Sequence, residues 1–142
     1  MILTLDSNVK KELIERALKA RDFAYAPYSE YKVGACILTA DGEFYTGCNI
    51  ENASYGGTNC AERTATFKAV SEGHTKFHAI AIVGGRDSEG IISYAYPCGI
   101  CRQVLREFSD PENMIVLVAK NTEDFKEYTL EQLLPDSFGP DF

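Results

Sequence analysis

Cys60, Cys98 and Cys101 are the side chains best suited to chemistry in this sequence, and Glu62 stands beside the first of them. "NCAER" (59–63) and "PCGICRQ" (97–103) each read as the opening of a helix. Cys98 and Cys101 lie three apart, so on a helix their sulfurs share a face. A helix N-terminus carries partial positive charge, which favours thiolate over thiol. Two such termini aimed at one point would bring three thiolates together, and Zn²⁺ accepts thiolates in tetrahedral geometry. A catalytic zinc site keeps three protein ligands and leaves the fourth position to water, whose pKa falls toward about 7. Glu62, two residues after Cys60, would be placed to take that water's proton and pass it on. Arg63 and the helix N-termini would offset the surplus negative charge of three thiolates on one dication.

Simpler readings stand beside this one. Taken alone, Cys98-x-x-Cys101 also fits a thioredoxin-type redox pair or half of a structural zinc site. A redox pair has no use for Cys60 or Glu62, and a structural site needs a fourth ligand. Cys36 and Cys48 fall inside predicted strands and read as small hydrophobes. His74 and His78 flank the far end of the second helix. Asn59 reads as that helix's N-cap, and Asn59-x-x-Glu62 has the spacing of a capping box.

The elements that must position these residues follow from periodicity and turn chemistry. Residues 7 to about 24 form a predicted helix, capped by Ser7, with Val9, Leu13, Ala17 and Leu18 at helical spacing. "KVGACILT" (32–39) is apolar on both faces, as a buried strand is. Asp41-Gly42 is a hairpin turn, and 43–51 is the partner strand. Residues 60–72 form a helix with a small face of Ala61, Ala65 and Ala69, ended by Gly73. Residues 77–84 form a third strand and 86–96 a loop. Pro97 suits the first turn of a helix over about 98–108, with Ile100, Val104, Leu105 and Phe108 on its core side. Strands over 114–119 and 125–129 and a helical turn over 130–134 complete the order αββαβαββα. This order favours a single α/β domain over residues 1–142, a three-layer α/β/α sandwich around a mixed five-stranded sheet.

Composition narrows the partners. A chain of 142 residues with 45% hydrophobic and 25% charged residues buries a core without disulfide staples. Its net charge of -7 disfavours a polyanionic partner, because nucleic-acid binding relies on Lys and Arg. A small neutral ligand meets no such barrier. The start "MILTLDSNVKK" lacks the features of a signal peptide, and no apolar run is long enough to span a membrane. Five cysteines without a secretion signal point to a reducing, cytoplasmic setting.

The two cysteine motifs together match more than their parts. C-A-E followed about 35 residues later by P-C-x-x-C is the zinc-deaminase signature in its three-cysteine form. "APYSEYKVGA" (26–35), "GCNIENASY" (47–55), "CAERTA" (60–65), "KAVSEG" (68–73), "PCGICRQV" (97–104) and "LLPDSFGP" (133–140) resemble the small cytidine deaminases of nucleoside salvage. The resemblance implies one zinc per chain on Cys60, Cys98 and Cys101, with Glu62 as proton shuttle. It implies that the Ala61 N–H meets the base's O2 and that Asn49 and Glu51 grip the ribose hydroxyls. Residues i and i+2 of a strand share a face, which suits that last pair. It further implies a homotetramer with shared active sites. Tyr55 and Phe138 would reach into a neighbour's site, while Arg63 and Gln103 would hydrogen-bond the sulfurs. The expected reaction is hydrolytic deamination of cytidine and 2′-deoxycytidine to uridine and 2′-deoxyuridine, with release of ammonia. Two positions depart from the family. Tyr31 replaces the usual phenylalanine, keeping a ring that can stack on the ligand. Tyr96 replaces a serine or threonine, at the end of a slightly long loop. "YGG" ahead of the first motif faintly resembles a related deaminase branch for other amino-pyrimidine compounds, such as blasticidin S, but the intact N-I-E argues for a nucleoside sugar.

Overall fold

The first helix, α1 (Ser7–Arg21), rests on one face of a sheet whose other face carries the remaining helices. The computed structural model describes residues 5–142. Asp6, not Ser7, caps α1: its carboxylate accepts from the Val9 N–H at 2.9 Å. The helix buries Leu13, Ile14 and Ala17 and ends at Arg21, earlier than expected. Arg21 turns its guanidinium onto the carbonyls of Lys32 and Gly85, which fixes the helix end to the sheet.

Strands β1 (Tyr31–Thr39) and β2 (Phe44–Cys48) form the expected hairpin, with Gly42 at φ 95° in its turn. A φ of that sign suits glycine, which has no Cβ to clash. A short 3-10 turn at Tyr55–Gly57 leads to α2 (Ala61–Ser71). Ala61, Ala65 and Ala69 are fully buried, as the small face predicts. Strand β3 (Phe77–Arg86) is followed by α3 (Gly99–Glu107) and β4 (Ile115–Ala119). Strand β5 (Phe125–Thr129) and the one-turn α4 (Leu130–Leu133) close the chain, with a full capping box between Thr129 and Gln132.

The sheet order is β2-β1-β3-β4-β5. Only β3 and β4 pair in parallel, joined by the α3 crossover; the other pairs are antiparallel. One core layer joins α1 to Cys36, Leu38, Ala79, Ala81, Val83 and Leu117. The other joins α2, α3 and α4 to Ile37, Ile80, Ile82, Val116 and Val118. Alternate residues of one strand thus feed opposite layers, which is the three-layer α/β/α sandwich with a mixed five-stranded sheet.

One expected core residue is misplaced. Ile100 is 62% exposed, while Cys101 and Leu105 are fully buried. The helix turns Cys101 inward, and a step of about 100° back along it carries Ile100 to solvent.

Candidate active site

Both cysteine motifs sit at helix starts, but one residue earlier in the helix than the sequence suggests. Cys60 is itself the N-cap of α2, and Cys98 is the N-cap of α3. Asn59 therefore does not cap α2; its side-chain amide donates to the Thr64 hydroxyl at 3.1 Å. Nor does a capping box form at this helix. Pro97 precedes the cap of α3, outside its first turn.

The three sulfurs converge. Those of Cys60, Cys98 and Cys101 all lie within 4.8 Å of one another. Cys60 and Cys98 Sγ are 3.8 Å apart. Two sulfurs each about 2.3 Å from a tetrahedral centre stand about 3.8 Å apart, so the donor set fits zinc in type and in spacing. Among the described residues, no fourth Cys, His, Asp or Glu joins the group. Cys36 is fully buried in β1, and burial pushes its thiol up to about 12, as suits a structural hydrophobe.

The electrostatics favour anionic sulfur at Cys60. Cys60 is held down to about 5, first by a hydrogen bond from the Cys101 thiol and then by Arg63. Cys101 is pushed up by that same sharing and by burial. Arg63 donates from Nη2 to Cys60 Sγ at 3.3 Å. The Cys101 N–H points at Cys98 Sγ at 3.5 Å, a helix-start donor aimed at a sulfur.

Glu62 lies in the same pocket, only 4% exposed. Burial raises its carboxyl to about 7; the Cys60 thiolate adds to the rise, while its own backbone N–H, the Cys101 thiol and Arg63 oppose it. A carboxyl poised near neutrality exchanges a proton readily.

The pocket encloses about 400 Å³ and is lined by Tyr31, Asn49, Glu51, Ala61, Glu62 and Cys98, among others. Ala61 is the first residue of α2, so its N–H has no partner within the helix. The strand expected over 43–51 ends at Cys48, so Asn49 and Glu51 follow β2 and do not share a strand face within it. Asn49 accepts from the Val33 N–H and donates to the Tyr31 carbonyl, both at 2.8 Å. These two bonds tie it to β1 and leave one N–H and one lone pair for a ligand. Glu51 accepts from the Tyr28 and Ser29 N–H groups at 2.9 and 3.1 Å and from the Ser29 hydroxyl. Ser29 is a support the sequence reading missed, although "PYSE" was in plain view.

Tyr55 and Phe138 do not enter this pocket. They project from the surface, 77% and 82% exposed. Gln103 donates to the Phe138 carbonyl at 3.1 Å rather than to a sulfur, because the C-terminal segment lies across α3. Val33, Ile82, Tyr94 and Ala95 also line the pocket. Apart from Val33, which lies within "APYSEYKVGA", no sequence motif marks them.

Comparison with known proteins agrees with this geometry. Residues 7–118 match the family described as the cytidine and deoxycytidylate deaminase zinc-binding region. A cytidine deaminase of Sporosarcina psychrophila is 50% identical over 129 residues, covering 91% of this chain and 90% of that protein. One from Halalkalibacterium halodurans is 47% identical over the same length, covering 91% and 93%. Among solved structures, a cytidine deaminase from Burkholderia pseudomallei superposes with a TM-score of 0.79 at 47% identity, covering 89% of this chain and 97% of that one.

Proposed function

Because this chain belongs to the zinc-binding family of cytidine and deoxycytidylate deaminases, we propose that it hydrolyses cytidine and 2′-deoxycytidine to uridine and 2′-deoxyuridine, releasing ammonia. The observation that carries the reading is one pocket lined by Cys60, Cys98 and the buried Glu62, with the Cys101 sulfur within 4.8 Å of the other two. Zinc held by those three sulfurs supplies a Lewis acid that makes water a nucleophile near neutral pH.

The chain's own residues do the rest. Glu62 takes the nucleophile's proton and gives it to N3 of the pyrimidine, which makes C4 more electrophilic. After attack at C4, Glu62 carries a second proton to the amine, which leaves as ammonia. Its value near 7 suits both directions of transfer. The free N–H of Ala61 meets the base's O2. Tyr31 presents its ring to the base. Asn49 and Glu51 hold the sugar hydroxyls, so binding energy remote from C4 orients it. Arg63 neutralises charge on Cys60.

A nucleoside fits better than a nucleotide, because among the described residues no Lys or Arg lines the pocket to receive a phosphate. The net charge of -7 argues equally against a polynucleotide. Among the described residues, no helix is long and apolar enough to cross a membrane. We place the enzyme in cytoplasmic pyrimidine salvage, as a homotetramer in which Tyr55 and Phe138 complete neighbouring sites. Ultraviolet assays on cytidine, 2′-deoxycytidine and 2′-deoxycytidine 5′-monophosphate test this: the two nucleosides should turn over and the nucleotide should not. Turnover of the nucleotide alone would reverse the assignment.

A further inference from the structure

The wall of the pocket next to Cys98 is the segment Tyr94–Tyr96, which belongs to no helix or strand. Its middle residue, Ala95, faces inward. A Cβ on Gly84 would come within 2.9 Å of both the Ala95 Cβ and the Tyr31 ring, so these two residues pack directly on bare β3 backbone. The flanking side chains run the other way, to the β4–β5 hairpin at the sheet edge. The Tyr94 hydroxyl donates to the Asp124 carboxylate. The ammonium groups of Lys120 and Lys126 lie 4.7 and 4.8 Å from the Tyr94 ring centroid. The Tyr96 and Tyr128 hydroxyls share a hydrogen bond at 3.1 Å, with their rings edge to face at 5.9 Å.

We propose that Asp124 and Tyr128 are positioning residues for the deamination reaction: through Tyr94 and Tyr96 they clamp the pocket wall that leads into Cys98. The proposal rests on the deaminase reading for its kinetic consequence but not for the clamp itself. Tyr96 is joined to Cys98 by Pro97 alone, and the Pro97 carbonyl is held by Arg102 Nε at 2.8 Å. Little slack separates the wall from the start of α3. A loosened wall would therefore misplace groups around the reacting carbon, while Asn49 and Glu51 still hold the sugar. Tyr96 thus serves as an anchor that a small side chain could not provide.

In the zinc-loaded full-length protein, Asp124→Ala and Tyr128→Phe should each lower kcat on cytidine about tenfold with KM within about twofold of wild type, since small misplacements near the reacting atoms are felt chiefly in turnover. Asp124→Asn keeps an acceptor oxygen for Tyr94 and should restore kcat. Amide hydrogen exchange over residues 90–96 reads the clamp whatever the substrate: it should quicken in Asp124→Ala and Tyr128→Phe, and stay at the wild-type rate in Asp124→Asn. Unchanged exchange in both disrupting variants would overturn the clamp. So would an Asp124→Asn protein as impaired as Asp124→Ala, or a fall in zinc content equal to the fall in kcat.

Discussion

Glu62 is a carboxyl group in surroundings that disfavour its charge, and that discomfort is what makes it useful. Burial lifts it to about 7, so protonated and ionised forms coexist near neutrality. Glu62→Ala should keep one zinc per chain yet lose turnover by about 10⁴-fold or more, since proton transfer and electrostatic stabilisation vanish together. Metal analysis beside a cytidine assay checks both halves. Glu51 shows the opposite shift. The Ser29 hydroxyl, then the Ser29 and Tyr28 N–H groups, hold its carboxyl below the ordinary range. A depressed folded value means that the unfolded chain takes up the proton first as pH falls. The stabilisation is complete above the ordinary carboxylate pKa and is lost as pH drops through the depressed one. Thermal unfolding followed from about pH 6 down to about pH 3 should show a steeper acid loss in wild type than in Glu51→Gln, which has no carboxylate to protonate. Parallel curves would remove Glu51 as an anchor of the 26–31 loop.

At the scale of elements, close backbone contacts place α2, the helix that Cys60 caps. A Cβ on Gly47 would stand 2.4 Å from Ala65 N and 2.5 Å from Ala61 O, so α2 lies directly on β2. Gly34 meets α1 in the same way, at 2.0 Å from Ala17 O. Gly47→Ala must push back the helix that begins at Cys60. We expect it to cost about 1–3 kcal/mol of stability and to weaken zinc retention, measured by denaturation and by chelator competition. The order of helices and strands, the Asp41-Gly42 turn and the alanine face were legible in the sequence, because local periodicity and turn chemistry determine them. The Asn59 cap was not, because the cap position belongs to the cysteine whose sulfur must reach the metal. Ile100 misled for a related reason: Cys101 takes the inward direction that an apolar residue would otherwise fill. Gly34, Gly47 and the 94–96 wall could not be read at all, since close approach between distant segments leaves no local trace. The clustering of Cys60, Cys98 and Cys101 and the place of Glu62 beside them were legible early, because thiolate chemistry restricts residue type and spacing at once.

At the scale of the whole molecule, Tyr55 and Phe138 are aromatic side chains left in solvent by a single chain. The C-terminal segment that carries Phe138 is strapped to α3, with Arg106 donating to the Ser137 hydroxyl at 3.0 Å and the Pro140 carbonyl at 2.8 Å. A fixed, projecting aromatic suits insertion into a neighbouring copy. Light scattering should therefore report four chains. Mixing the Glu62→Ala and Phe138→Ala proteins after dissociation should recover activity that neither has alone, because hybrid sites regain both residues. No recovery would confine each site to one chain. The most direct test of the central claim measures zinc and product together on the purified wild-type chain. The account predicts one zinc per chain and equal amounts of uridine and ammonia from cytidine, with both products lost when Cys98→Ala removes the metal. Deamination that persists in a zinc-free Cys98→Ala protein, or a zinc-loaded wild type that leaves cytidine intact, would contradict it.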